Sequence, residues 1–283
     1  MAQEDLAEVV ARWAAKTPSV SGLTLFGSRA RAAADPLASS DAGSDWDFQI
    51  ISSHPSMFED RTWAESLEGA KLSVYAPRMT RFGKVPKVNA LFEGAEADFV
   101  ILPARTLRAA RFLVSLGLHR REGFLRRGLR DLAIVIRPGW KFLKGSEKWE
   151  AFYRRVVAEV DDARLGDAEA VNLANVFVCD YIWTLRKIER GELVAAQRML
   201  HRELVETNLR LFHELKLRKG ERSFPEGRRI EQLSSAAETS AMALSARCNT
   251  AELRAGASSA GSALRELMKS LVGGSWAWPG ELG

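Results

Sequence analysis

Cysteine and histidine are scarce in this chain, 2 and 4 of 283 residues. Cys179 and Cys248 both fall in segments of helical period, so the expectation is buried, reduced thiols in a cytoplasmic protein. The histidines are scattered with no ligand spacing, which argues against a zinc site. No apolar run approaches the length of a membrane span. The N-terminal stretch carries acids where a signal peptide carries basic and then apolar residues. Dense Lys/Arg tracts are also missing, and basic and aromatic residues are little interleaved, which argues against nucleic acid as a partner. Internal repeats and low-complexity segments are absent.

What is present is an ordinary globular composition, 46% hydrophobic, in a chain long enough for one large or two ordinary domains. The net charge of +5 suits an anionic partner. The most informative pattern lies near the N-terminus. A short apolar strand, Leu23–Phe26, closes on Gly27-Ser28. A small-residue stretch and a loop follow, and then the strand-like run Trp46–Ile51, entered through Asp45-Trp46-Asp47. Side chains alternate along a strand, so Asp45, Asp47 and Gln49 share one face, and Trp46, Phe48 and Ile50 share the other. Adjacent carboxylates repel each other. A hard cation such as Mg²⁺ relieves that repulsion, and carboxylates together with a substrate phosphate are a usual way to hold it. Glycine allows close backbone approach to a phosphate, and Ser28 adds a hydroxyl at what reads as a helix start.

The ordered set FGSRARAAADPLASSDAGSDWDFQII resembles the nucleotidyltransferase superfamily of polymerase-β-like fold. The family pattern is Gly-Ser, a spacer, Asp-x-Asp and a third acid on a later strand. Two departures are visible: the spacer ADPLASSDAG is long, and Ala32 stands where relatives often carry glycine. The third acid falls in Glu96–Leu102, where Asp98 precedes a continuous apolar run and is costly there unless it faces a metal or a polar cleft. Glu96 shares its face and is the fallback; Glu93 lies in the preceding turn. The resemblance implies Asp45, Asp47 and Asp98 as catalytic metal ligands for one or two Mg²⁺, with Asp98 alternatively the general base. It also implies Gly27 and Ser28 as the phosphate cradle. Arg29 and Lys187 are candidate charge partners of the triphosphate.

The periodicity predicts a helix over Gln3–Lys16, a helix over Phe58–Glu68, and strands over Lys71–Tyr75, Lys87–Phe92 and Glu96–Leu102. An Arg-rich helical stretch follows Pro103, with breaks at Arg137-Pro138-Gly139 and Lys144-Gly145-Ser146. The expected fold is α+β: a mixed-sheet nucleotidyltransferase domain over 1–145, then a helical substrate-binding bundle over 146–283. Candidate helices of the bundle are Trp149–Ala163, Ala168–Arg190, Glu192–Arg218, Arg228–Arg247 and Thr250–Leu271.

On the apolar helix Val171–Ile188, Asp180, Thr184 and Lys187 fall nearly in one line at about 100° per residue. A polar stripe in an apolar face points to a polar cleft, with Asp180 and Thr184 toward an acceptor and Lys187 toward a triphosphate. The segment ANVFVCDYIWTLRKIERGELVAAQRML resembles the helical-domain entry of aminoglycoside and lincosamide nucleotidyltransferases, in which the second domain closes the acceptor pocket. The implied reaction moves a nucleoside monophosphate, AMP from ATP in the first instance, onto a hydroxyl of a small molecule. Three other readings are a nucleotidyltransferase acting on a protein or RNA end, a silent nucleotide-binding module, and an unrelated helical scaffold with a small α/β cap, which the Gly-Ser and Asp-x-Asp set argues against.

Overall fold

The computed structural model describes residues 5–31, 40, 43–80, 83–242 and 244–280. Ala32 and most of the spacer before Gly43 lie outside the described residues. The chain forms two compact units, Met1–Ala163 and Arg164–Gly283.

The first unit is built on a six-stranded mixed sheet. Its strands are β1 (Val20–Phe26), β2 (Trp46–Ser52), β3 (Ala70–Tyr75), β6 (Lys87–Phe92), β7 (Ala95–Pro103) and β8 (Trp140–Lys144), in the order β3-β6-β7-β2-β1-β8. Strands β4 (Arg78–Thr80) and β5 (Gly83–Val85) form a separate hairpin. β2 and β7 run parallel, and the other neighbours in the large sheet are antiparallel.

Strand alternation gives the sheet two buried faces. Leu23, Leu25, Phe48, Ile50, Val88, Phe99 and Ile101 pack on one side with α1 (Leu6–Lys16), Phe58 and Trp63. The apolar stripe of α1, Leu6, Val9, Val10 and Ala14, is what makes this a helix-on-sheet layer. On the other side Ile51 packs with α3 (Ala104–Ser115), α4 (Phe124–Ile136) and α5 (Ser146–Glu159), whose anchors include Leu107, Leu129, Ile136, Trp149 and Tyr153.

The structure differs from the sequence reading at several points. The helix expected over 58–68 is only the short α2 (Thr62–Glu65); just before it, Asp60 Oδ1 accepts from the Thr62 backbone N–H and hydroxyl at 2.9 and 2.7 Å in a local turn. β8 was not anticipated: five residues between two turn signals carry little periodicity, and only pairing with β1 makes them a strand. The break at Gly145 interrupts secondary structure without dividing the chain. Gly145 has φ +77°, and a Cβ there would meet Ser21 O at 2.4 Å, so this turn is packed against the start of β1. Beyond it, the Trp149 indole donates to Ser21 O at 3.0 Å and lies against Gly22. Helix α5 is therefore part of the first unit, and the chain divides after Ala163, not at the expected 145/146.

The second unit is helical: α6 (Asp167–Glu189), α7 (Leu193–Met199), α8 (Glu206–Arg218), α9 (Ile230–Leu233), α10 (Ala236–Met242) and α11 (Thr250–Val272). Its core joins Ala174, Phe177 and Ile188 of α6 with Leu211 of α8 and Leu253, Ala260, Leu264 and Met268 of α11. The single helix expected over Glu192–Arg218 carries a π-helical turn at Leu200–Val205 between α7 and α8. The segment 228–247 is split into α9 and α10. Cys179 and Cys248 are exposed free thiols, against the expected burial. No helix among the described residues is long and apolar enough to cross a membrane.

The packing of α5 makes a direct prediction. A fragment of residues 1–163 should fold and show the near-ultraviolet circular dichroism of ordered tryptophans. A fragment of 1–145 loses Trp149 and Tyr153 from that core and should not. Equal signals from both fragments would place α5 outside the first unit.

Candidate metal and phosphate site

The site is assembled from the ends of β1, β2 and β7. β1 closes at Phe26, which pairs with Asp47 across the β1–β2 ladder. Gly27 then turns the chain with φ +74° and ψ −155°, a conformation that L side chains rarely adopt. A Cβ at Gly27 would lie 2.1 Å from Asp47 Oδ2. Glycine is thus required twice, by its backbone torsion and by the carboxylate pressed against it. Ser28–Ala30 form one 3₁₀ turn, with Ala30 N–H donating to Gly27 O at 3.3 Å, so the expected helix start is a single tight turn among the described residues.

Arg29 has partners within the unit. Its Nε and Nη2 donate to Ser44 O at 3.1 and 2.5 Å, its Nε also reaches Asp45 O at 3.2 Å, and the guanidinium lies 4.2 Å over the Trp46 ring. Arg29 therefore ties the Gly-Ser turn to the entry of β2 and fixes where Asp45 begins.

Parallel pairing of β2 with β7 places Asp47 directly beside Asp98, and Trp46 beside Ala97. One carboxylate oxygen from each of Asp45, Asp47 and Asp98 lies within 4.8 Å of the other two. Asp45 is exposed, and Asp47 and Asp98 are half-buried. Of the two other acids weighed for the third position, Glu96 is exposed outside this cluster, and Glu93 is ion-paired with Lys71 at 3.6 Å in the β6–β7 turn. Gln49, expected on the carboxylate face, continues that face inward: it is buried and accepts a hydrogen bond from the Tyr153 hydroxyl of α5. Burial pushes the Tyr153 phenol well above its usual range, so it stays a neutral donor.

Sequence reasoning missed Lys87. Its Nζ lies 2.6 Å from Asp98 Oδ2, with the side chain only 11% exposed. Alternation along β6 sets Lys87 and Asn89 opposite the buried Val88 and Ala90, but only the antiparallel register, with Asn89 facing Asp98, brings Lys87 to that acid. A cavity of about 360 Å³ opens beside the cluster, lined by Gly43–Asp45 and by the β6–β7 turn including Leu91, Gly94 and Glu96. That is within the range of small-molecule pockets.

The remaining candidates lie on α6 in the second unit. Thr184 is fully buried, and its hydroxyl donates to Asp180 O at 2.8 Å, a back-bond to its own helix that presents no hydroxyl to a ligand. Lys187 Nζ is 2.7 Å from Glu192 Oε2, so its charge is met across the α6–α7 turn. Asp180 is half-buried, and its carboxyl is raised above the usual range, chiefly by burial and then by the nearby charge of Glu203. Glu203 lies in the π-helical turn. A wide turn in a helix that reads as regular has no periodic signature, so this acid was not anticipated.

No protein-family model matches the sequence, and no curated protein is similar to it. Among solved structures, the chain is similar to an aminoglycoside 6-adenyltransferase from Bacillus subtilis, at 15% identity and TM-score 0.40, covering 98% of this chain and 94% of that one. It is also similar to a nucleotidyltransferase-like protein from Exiguobacterium sibiricum 255-15, at 11% identity and TM-score 0.35, covering 94% of this chain and 75% of that one.

Gly27→Ala tests the approach of turn to carboxylate. Forcing a left-handed torsion on alanine costs about 1–3 kcal/mol, to which the clash with Asp47 adds. Urea unfolding should show that loss, and Asp47 should be displaced in a crystal structure of the variant.

Proposed function

We propose that this chain is a metal-dependent nucleotidyltransferase that moves a nucleoside monophosphate from a nucleoside triphosphate to a hydroxyl of a small, cationic acceptor. The observation that carries the reading is the convergence of Asp45, Asp47 and Asp98 to within 4.8 Å, beside a glycine turn with no room for a side chain. Three anionic oxygens of this spacing form a donor set suited to Mg²⁺, a hard cation that prefers oxygen and keeps sites for phosphate and water. When bound there, Mg²⁺ supplies charge stabilisation to the triphosphate oxygens and the departing pyrophosphate.

The chain's own residues do the rest. Asp45 and Asp47 would hold the ion next to the triphosphate. Ser28 and the backbone N–H groups of Gly27–Arg29 donate to its outer phosphates. Arg29 holds this turn against Ser44 and Asp45, so the two anchors keep their spacing. Asp98 completes the carboxylate set from the neighbouring strand. The acceptor oxygen attacks the α-phosphorus in line, the bond from that phosphorus to the α–β bridging oxygen breaks, that oxygen leaves with pyrophosphate, and the acceptor proton passes to Asp98 or to water. The products are the nucleotidylated acceptor and pyrophosphate.

A cationic acceptor is favoured by Asp180. It is an acid held in a partly desolvated position with Glu203 as a like-charged neighbour, an arrangement that an amine or ammonium relieves. Thr184 and Lys187 are not part of this proposal, because one is buried against its own helix and the other is neutralised by Glu192.

Pyrophosphate release, measured with each of the four nucleoside triphosphates against a panel of hydroxylated amines, tests the reaction. Turnover with one acceptor class supports it, and no release with any combination overturns it. Asp47→Asn should keep the fold by circular dichroism and lower kcat/KM by at least about 100-fold, since even outer-shell partners of metal ligands cost 10–100-fold. Asp180→Asn should raise the acceptor KM while nucleotide affinity, read by calorimetry, is unchanged. A fall in nucleotide affinity alone would remove Asp180 from acceptor binding.

A further inference from the structure

We propose that Lys87 is a built-in cation of the carboxylate cluster, and that it makes loading of the divalent metal depend on the triphosphate. The inference rests on the metal-site reading above. It names a regulatory residue of that site which the sequence pattern does not contain.

Lys87 enters from β6, one strand beyond β7, and crosses to Asp98 with Nζ 2.6 Å from Oδ2. The lysine side chain is 11% exposed and that of Asp98 26%. An ammonium withdrawn this far from water needs a fixed anionic partner, and Asp98 supplies it. The strand that follows Lys87 is pinned, because Val88 and Ala90 are buried on the opposite face of the sheet. The ion pair is therefore a preformed part of the site, unlike a solvated surface contact whose two ends are free to separate.

The charge arithmetic gives this pair a consequence. Asp45, Asp47 and Asp98 together carry three negative charges, and Lys87 offsets one of them. A divalent ion approaching the cluster meets a partly neutralised donor set and is repelled by the ammonium behind Asp98. For a divalent ion roughly 6 Å from that ammonium, the repulsion even at the dielectric constant of water weakens binding by about tenfold. A triphosphate brings several negative charges to the side of the ion away from Lys87 and outweighs that repulsion. Metal and nucleotide then load together, and the ion is held weakly when no nucleotide is present. A cluster without that cation would hold the metal about tenfold more tightly in the absence of nucleotide.

The test is titration of the full-length protein with Mn²⁺, following the free-ion signal by electron paramagnetic resonance, with and without a non-hydrolysable ATP analogue. The wild type should bind Mn²⁺ at least about tenfold more tightly when the analogue is present. Lys87→Met should tighten binding without the analogue by a similar factor, with a smaller change in its presence, so the coupling shrinks. Lys87→Arg keeps the charge and should restore the wild-type pattern, which a merely structural role of the lysine stem would not predict. A wild type that binds Mn²⁺ equally well with and without the analogue overturns the proposal with no variant needed. So does a Lys87→Met protein, folded by circular dichroism, whose Mn²⁺ affinity is unchanged. A wild type that binds no Mn²⁺ under either condition sinks the metal-site reading itself.

Discussion

Parallel pairing of β2 and β7 sets two carboxylates, Asp47 and Asp98, side by side on one face of a sheet, with Asp45 at the edge of the same group. Like charges this close oppose one another, and the opposition grows as water is withdrawn. Much of the first unit can be understood as the means of holding that arrangement. Phe48 and Phe99, paired across the same two strands and stacked with centroids 5.3 Å apart, fix the register from the opposite face. A slip of one residue in either strand would turn that strand's acid toward the aromatic layer and break the pair, so burial on one side guarantees the cluster on the other.

Around the cluster, three contacts divide the work. Gly27 yields space, since any side chain there would occupy the position of Asp47 Oδ2. Arg29 ties the turn to the start of β2 through carbonyl oxygens and the Trp46 ring, which makes it a positioning residue in this structure. Lys87 supplies positive charge from the next strand. Deeper along the same face, the polar surface is closed by the Tyr153–Gln49 hydrogen bond, where α5 covers the sheet. The carboxylates thus stand at the boundary between a packed interior and an open cavity, and such a boundary allows acids to be both fixed and reachable.

In the second unit, the line of Asp180, Thr184 and Lys187 on α6 breaks into three environments: half-buried acid, buried hydroxyl and ion-paired amine. Equal angular position on a helix does not impose equal surroundings, because each turn meets a different neighbour. The π-helical turn at Leu200–Val205 brings Glu203 into the electrostatic environment of Asp180 and raises its carboxyl further than burial alone would.

The sequence by itself determined the local elements and most of the acid set. Period-2 alternation marked β2, β6 and β7, and period-3.6 stripes marked α1, α6 and α11. Glycine followed by serine at a strand end, with Asp-x-Asp opening the next strand, located Gly27, Asp45 and Asp47. Asp98 was legible because an acid at the head of an apolar strand is costly without a purpose. Tertiary structure alone decided the rest. β8 exists only through its ladder with β1, and α5 belongs to the first unit because Trp149 fits against Gly22 and Ser21. Lys87 reaches Asp98 only through the β6–β7 register, and Lys187 meets Glu192 only across the α6–α7 turn. The physical reason is the same in each case. Periodicity records which way a side chain points along its own element, whereas a charge pair, a strand edge or a packed indole depends on which element lies alongside.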